Sequence, residues 1–275
     1  MKHLCSDLEE QYQEFDDLVS RVDEKLWQLK TPFYRWTIFD QVAHIVFFDH
    51  EALMAIDEPE RFKGRARDVM RIIASDKSMK NHTNSLLGIK KPSKLLTYWR
   101  HLRMHLIARL NKMSPENRIS WYGPDMNARS FATARLMETW SHAQDIFDAL
   151  CIRRKNHARL KHVAHMGVTT FNWSFIIRKQ KVPNITLRVE LKGPSGELWE
   201  WGRPGATEKV WGCAEEFCLV VTQRRNLKDT RLKYQGKNVT KWLAMAQAFA
   251  GGLQAPPLPG VRVVDYKSNK VQDRV

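Results

Sequence analysis

The chain has 275 residues, 43% of them hydrophobic, and a net charge of +15. That is enough apolar material for one large domain or two modest ones. No apolar run approaches the roughly 18 residues of a membrane-spanning helix, and the start, MKHLCSDLEEQ, turns acidic at once and lacks the apolar core of a signal peptide. A cytoplasmic chain without a membrane partner is expected.

The charge is uneven. Residues 1–60 carry 14 acids and 5 bases, net −9, and the rest carries 16 acids and 40 bases, net +24. No acidic residue occurs from Asn81 to Lys112. Such asymmetry suits a nucleic-acid or polyanion partner, and equally a field that attracts a small anionic substrate. No recognised nucleic-acid motif accompanies it. Cys5, Cys151, Cys213 and Cys218 form no CxxC pair and no framework spacing, so reduced thiols are expected.

Ser6 to Leu29 reads as the first helix. Ser6 and Glu9 match a capping box, and Leu8, Tyr12, Phe15, Leu18, Val22 and Leu26 form one apolar stripe. Thr37 suits the N-cap of a second helix, Ile38 to Ile56, which carries His44 among apolar residues. A single histidine on such a face is more often a hydrogen-bonded core residue than a ligand. The span from Glu58 to Lys91 reads as a basic excursion, with KSMKNHTNS as a loop. A third helix runs from Pro92 to about Met113. It carries His101 and His105, a rival metal pair set among Arg100, Arg103 and Arg109, whose charge opposes a cation.

Ser114 to Asn127 is a connecting loop. Trp121, Tyr122 and Met126 in it suit the wall of a substrate pocket, and suit ordinary loop packing as well. Ala128 to Leu150 reads as one long helix. Four such helices imply an antiparallel four-helix bundle over residues 1–152.

After Cys151 the pattern changes. A fifth helix from His157 to Lys179 precedes strands at Ile185–Leu191 and Leu198–Trp201, joined by the Gly193–Gly196 turn. A short strand at Lys209–Trp211, a helix from Ala214 to Arg225, a strand at Arg231–Tyr234 and a last helix capped by Asn238 follow. Residues 153–255 therefore read as a smaller α+β domain, and 256–275 as a loose basic tail.

The chemistry centres on Glu138-Thr-Trp-Ser-His142. A carboxylate and an imidazole four residues apart lie on one helix face and can hold one metal ion. His44 is the candidate third ligand. Asp145, on the face of Glu138, and Asp40, four residues before His44, are candidates for the outer nitrogen of a ligand histidine.

The text W-T-x-x-x-Q-x-A-H around His44 and E-T-W-x-H-x-x-D from Glu138 to Asp145 resembles the DinB-like metal-binding superfamily. More specifically, the chain is similar to its mycothiol-dependent maleylpyruvate isomerase group. The passages YGPDMNARSFATARLMETWSHAQDIFDAL, LVVTQRR and WLAMAQAFAG carry the similarity from about Leu8 to Gly251. The resemblance implies a mostly α chain, with a DinB-like four-helix bundle joined to a smaller α+β domain. It implies a divalent metal, usually zinc, on His44, Glu138 and His142, and a low-molecular-weight thiol, such as mycothiol, as cosubstrate. The isomerase also uses an arginine of its C-terminal domain, matched here by Arg224 or Arg225.

Three protein ligands leave a zinc position open, as catalytic sites do. The leading expectation is a thiol-dependent S-transferase or isomerase acting on a small, anionic electrophile, as a monomer or homodimer. A non-catalytic module binding nucleic acid or another polyanion, and a metal-dependent hydrolase, are the alternatives.

Overall fold

The computed structural model describes residues 1–74, 79–123 and 125–266. They form two units, one spanning Met1–Ile152 and one running from Arg153 onward. Among the described residues no helix is long and apolar enough to cross a membrane.

The first unit is helical. Helix α1 (Lys2–Ser20) buries Leu4, Leu8, Tyr12, Phe15 and Val19 along one stripe. It starts at Lys2, so the Ser6/Glu9 box lies inside it. It also ends well before Leu29. Asp23 accepts a hydrogen bond from Lys25 N (2.9 Å) and opens a separate 3-10 turn, Glu24–Gln28. A side chain that competes for backbone donors breaks the helical ladder there.

Helix α2 (Ile38–Asp57) begins at a full capping box: Thr37 Oγ1 accepts from Asp40 N, and Asp40 Oδ2 accepts from Thr37 N. The expected excursion is two further helices, α3 (Pro59–Ala74) and α4 (Met79–Leu87), both packed on α2. Phe62, Ala66 and Val69 supply the buried stripe of α3 beneath its basic exterior. The segment read as a loop is thus α4 from Met79 onward; Lys77 and Ser78 lie outside the described residues. Helix α5 (Pro92–Asn111) and helix α6 (Ala128–Ala149) complete the bundle, with α1 and α2 each packing on α5 and α6. A short ladder precedes α6: β1 (Arg118–Ile119) pairs antiparallel with β2 (Met126–Asn127) inside the expected loop.

Because α2 touches neighbours on several sides, its polar residues are buried and must be partnered. Asp49 is fully buried. It accepts from Tyr12 Oη (2.7 Å), Trp99 Nε1 (2.8 Å) and Arg135 Nε (2.9 Å), tying α2 to α1, α5 and α6. Burial, and then the Asp49 charge, push the Tyr12 hydroxyl pKa well above its ordinary value, so it stays a donor. Glu51, also buried, accepts from Tyr122 Oη (2.7 Å) and Arg65 Nε (2.7 Å).

The second unit is α+β. The expected fifth helix is two, α7 (Leu160–Thr169) and α8 (Phe171–Ile176). At the break, the Thr170 hydroxyl donates to Met166 O (2.7 Å). Strands β3 (Leu187–Lys192), β4 (Leu198–Trp201), β5 (Glu208–Cys213) and β6 (Lys233–Gln235) form a sheet of order β4-β3-β5-β6. β3 pairs antiparallel with β4 and parallel with β5, and β5 pairs antiparallel with β6. The parallel pair needs a long crossover, and β4 with its flanking turns supplies it. Helix α9 (Ala214–Val221) packs on β3, β5 and α7, and helix α10 (Lys237–Leu243) on β5 and β6. Gly167 marks the α7–α9 contact: a Cβ there would lie 2.7 Å from Val221 Cγ2.

The cap of α10 is not Asn238. The Glu208 carboxylate on β5 accepts from Asn238 N and Val239 N, and Asn238 Nδ2 donates to it as well. Burial alone raises the Glu208 pKa, but these hydrogen bonds win and hold it below the ordinary value. The chain after 255 is also less loose than expected at first. Asn226 Nδ2 donates to Pro257 O (2.7 Å), and buried Arg262 donates to Gln223 O (2.6 Å). Residues 267–275 of the expected tail lie outside the described residues.

Removing one partner of a buried ion pair strands the other charge. Asp49→Ala is expected to cost about 3–5 kcal/mol in chemical denaturation. The apolar double variant Asp49→Leu/Arg135→Met should regain a large part of it. A single variant as stable as the parent would show that the pair is not what holds α2 in the bundle.

Candidate metal centre

Helix α6 carries two of the three expected ligands. Asn127 caps it, its side chain accepting from Ser130 N (2.8 Å), and the register then turns Glu138 and His142 toward α2. The helix ends where Cys151 takes a left-handed conformation (φ 54°) and Ile152 N donates back to Phe147 O (3.0 Å). His44 arrives from α2. Its Nε2 lies 4.0 Å from Glu138 Oε2, and His142 Nε2 lies 3.4 Å from the same oxygen. One ligand atom from each of His44, Glu138 and His142 falls within 4.8 Å of the other two.

Donor atoms bound about 2.0–2.1 Å from a tetrahedral zinc lie roughly 3.4 Å apart. The Glu138–His142 separation meets that value, the His44–Glu138 separation is 4.0 Å, and all three donors lie within 4.8 Å of one another. Two imidazole nitrogens and one carboxylate oxygen are also a donor set that zinc accepts. The residues fit a divalent cation.

The surroundings of His142 suit the same donor set. Its Nδ1 is hydrogen-bonded to Gln41 Oε1. Gln41 Nε2 donates to Thr31 Oγ1 (2.8 Å), and the Thr31 hydroxyl donates to Phe33 O (3.4 Å). With its amide oxygen toward the ring, Gln41 suits the tautomer protonated at Nδ1, in which Nε2 keeps its lone pair. A metal-ligating histidine has this arrangement. His142 is buried, whereas the side chains of His44 and Glu138 are 14% and 21% exposed. The cluster therefore has an accessible side.

Asp145 Oδ2 lies 3.7 Å from His142 Nδ1, beside the imidazole, while the nitrogen's hydrogen bond goes to Gln41. Asp40 is used otherwise. Besides the cap, it accepts from Asn84 Nδ2 (2.7 Å) and pairs with Lys80 Nζ (3.4 Å). Helix start chemistry, not the outer nitrogen of a ligand, explains this carboxylate. The rival pair, His101 and His105, is exposed on α5, and among the described residues no third ligand joins it. The surrounding cations are themselves paired: Arg100 and Arg103 with Asp16, Arg109 with Asp57.

Aromatic rings frame the centre. Trp36 stacks on His142 (6.0 Å between centroids, 16° between planes), Phe33 meets it edge-on, and Phe48 lies 4.6 Å from His44. Phe33 and Trp36 sit on a tight turn closed by Thr31 N donating to Trp36 O (2.7 Å). That turn holds Tyr34 and Arg35 at φ 47° and 57°, conformations that cost non-glycine residues free energy and persist where surroundings impose them. Of the expected pocket residues, Trp121 stacks on Phe62 (5.5 Å, 8°) and reaches Phe48 (6.0 Å). Tyr122 also contacts Phe48 and is anchored on Glu51; burial, then the Glu51 charge, raise its pKa far above ordinary. Met126 lies in β2, paired with Ile119. Arg224 and Arg225 are buried in the second unit just after α9, with Arg224 Nη1 donating to Thr222 O and Arg225 Nη1 to Arg224 O.

Reasoning from sequence passed over Gln41, although it stands one turn before His44 in the W-T-x-x-x-Q-x-A-H text. It also passed over Phe48, one turn after His44, and the aromatic turn TPFYRWT. The spacing of three and four around a ligand was the available signal.

Comparison with known proteins bears on the same residues. The profile of the mycothiol maleylpyruvate isomerase N-terminal domain matches residues 8–147, a span that includes His44, Glu138 and His142. Two Mycobacterium tuberculosis proteins described as uncharacterized, from strains CDC 1551 / Oshkosh and ATCC 25618 / H37Rv, are each 38% identical over 246 residues. The match covers 90% of this chain and 95% of theirs. A crystal structure of a histidine-to-alanine mutant of the mycothiol-dependent maleylpyruvate isomerase has a TM-score of 0.51 at 13% identity. It covers 80% of this chain and 87% of that one, a likeness of fold.

Elemental analysis is expected to find about one divalent metal per chain, lost in His44→Ala and in His142→Ala. Gln41→Ala should keep the site but weaken metal affinity about 10- to 100-fold, read by competition with a chelating dye. Full retention of metal in His142→Ala would exclude the site.

Proposed function

The chain belongs to the mycothiol maleylpyruvate isomerase N-terminal domain family, and from this we propose that it is a divalent-metal-dependent enzyme, with zinc the expected ion, that activates a low-molecular-weight thiol at His44, Glu138 and His142 for isomerisation or S-transfer on a small electrophile. The observation that carries the proposal is the convergence of those three donors within 4.8 Å, with His142 Nδ1 hydrogen-bonded to Gln41.

A divalent cation at this centre supplies Lewis acidity, which favours thiolate over thiol at neutral pH. The protein's part is to place and shelter that sulfur. Gln41 holds the His142 ring, and Phe33, Trp36 and Phe48 keep water from its sides. His44 and Glu138 remain partly exposed, which leaves an approach for thiol and electrophile. In an isomerisation the thiolate sulfur adds to a conjugated double bond, the resulting single bond rotates, and the sulfur departs as the double bond re-forms. In a transfer the sulfur stays and a leaving group departs with the bonding electron pair. For an anionic electrophile, Arg224 and Arg225 are the cations this reading assigns to the substrate carboxylate. Their support is the resemblance of LVVTQRR to the isomerase group. Trp121 and Tyr122, joined to His44 through Phe48, are assigned to the pocket wall together with Met126.

The test is a screen of zinc-loaded protein with mycothiol, glutathione and cysteine against maleylpyruvate and neutral Michael acceptors. Turnover that requires a thiol is expected. Each of Glu138→Ala and His142→Ala should lose about 100-fold or more, since an activating metal contributes several kcal/mol to the barrier. Turnover of esters or amides without any thiol would replace this reading with a hydrolase.

A further inference from the structure

The second unit holds a cleft of about 840 Å³ that the metal chemistry does not use. The segment just after Ile152 forms one side and contributes Arg153, Arg154 and Lys155, while Lys192 at the end of β3 contributes a fourth cation. Glu190 and Glu215 are the two carboxylates in the lining, and both have partners within this unit. Glu190 accepts from Arg188 Nε (2.9 Å). Glu215 faces Arg153 and Arg154 and is hydrogen-bonded to Asn156. The remaining balance is positive, and it is concentrated on Lys155 and Lys192, both exposed.

The cleft also has apolar surface. Trp211 on β5 and Leu198 on β4 line it, and Leu198 is 62% exposed. A volume in the range of small-molecule sites, cations that outnumber carboxylates, and an aromatic wall describe a particular kind of ligand. We propose that this cleft binds a small molecule carrying a phosphate or carboxylate group on a flat apolar body. Lys155 and Lys192 meet the anionic group, and Trp211 with Leu198 meets the body.

Cys213, at the end of β5, lies in the same lining and is exposed, while Cys5 and Cys218 are buried and Cys151 is half-buried. It is therefore a built-in reporter. Its thiolate attacks a disulfide reagent, forms a mixed disulfide, and releases one aromatic thiolate whose absorbance is followed. The probes are dithiobis-nitrobenzoate, a flat dianion, and dithiodipyridine, which is neutral. At low salt the dianion should be favoured over the neutral probe by about tenfold relative to free cysteine, the scale of electrostatic focusing in a charged cleft. Cys213→Ser should remove this phase. Lys155→Glu/Lys192→Glu should abolish the preference and leave the neutral probe unchanged.

Inorganic pyrophosphate and benzoate distinguish the two anionic groups. Protection by pyrophosphate alone assigns a phosphate ligand, and protection by benzoate alone assigns a carboxylate. Calorimetry with the same two ions gives a reading that does not depend on the thiol. Sub-millimolar binding of at least one, lost on the double charge reversal, is expected. A probe preference equal to that of free cysteine, or no calorimetric binding of either ion, would overturn the proposal.

Discussion

A single side-chain amide ties together the candidate centre of the first unit. Gln41 joins α2 to α6 through His142, and joins both to the aromatic turn through Thr31. An amide has one accepting and one donating end; with its nitrogen on Thr31, its oxygen faces His142 Nδ1 and suits a proton there. The capping box at Thr37 and Asp40 starts α2 in the register that places Gln41 one turn before His44. A helix start, a tautomer and a ligand set are thus coupled through four residues of one helix.

The rest of α2 shows what that placement costs and how it is offset. A helix enclosed by α3, α4, α5 and α6 cannot leave Asp49 and Glu51 unpaired. Asp49 gathers Tyr12, Trp99 and Arg135, one partner from each of three other helices. Glu51 anchors Tyr122, and Tyr122 holds the loop that presents Trp121 beside Phe48. The same helix therefore carries the buried carboxylates Asp49 and Glu51 and, one to two turns before them, the candidate ligand His44. Rigid support of this kind holds the three candidate donors within 4.8 Å of one another.

The second unit is organised by different physics. Its parallel β3–β5 pair lies between two antiparallel edges, and Glu208 on β5 caps α10 from the neighbouring element. Its cations split into two groups. Arg224, Arg225 and Arg262 are buried against backbone carbonyls, whereas Lys155 and Lys192 face an open cleft. The positive balance of the chain is therefore partly consumed in holding irregular backbone and partly displayed.

Much of this was legible in the residues. Apolar stripes at spacings of three and four marked α1, α2 and α5, and the i, i+4 spacing of Glu138 and His142 placed them on one face of α6, because helical periodicity is a local property. Thr37 and the Gly193–Gly196 turn marked their boundaries for the same reason. The stripe of Phe62, Ala66 and Val69 was obscured by surrounding bases, and the long helix expected after His157 divided at Thr170, where a hydroxyl competed for a backbone carbonyl. Only tertiary structure could pair Asp40 with Asn84 and Lys80, bring Gln41 to His142 across 101 positions of sequence, or send Glu208 to α10. Sequence sets which residues share a helix face or a strand. Which partner a buried polar atom meets depends on how the elements pack, and burial makes that meeting obligatory.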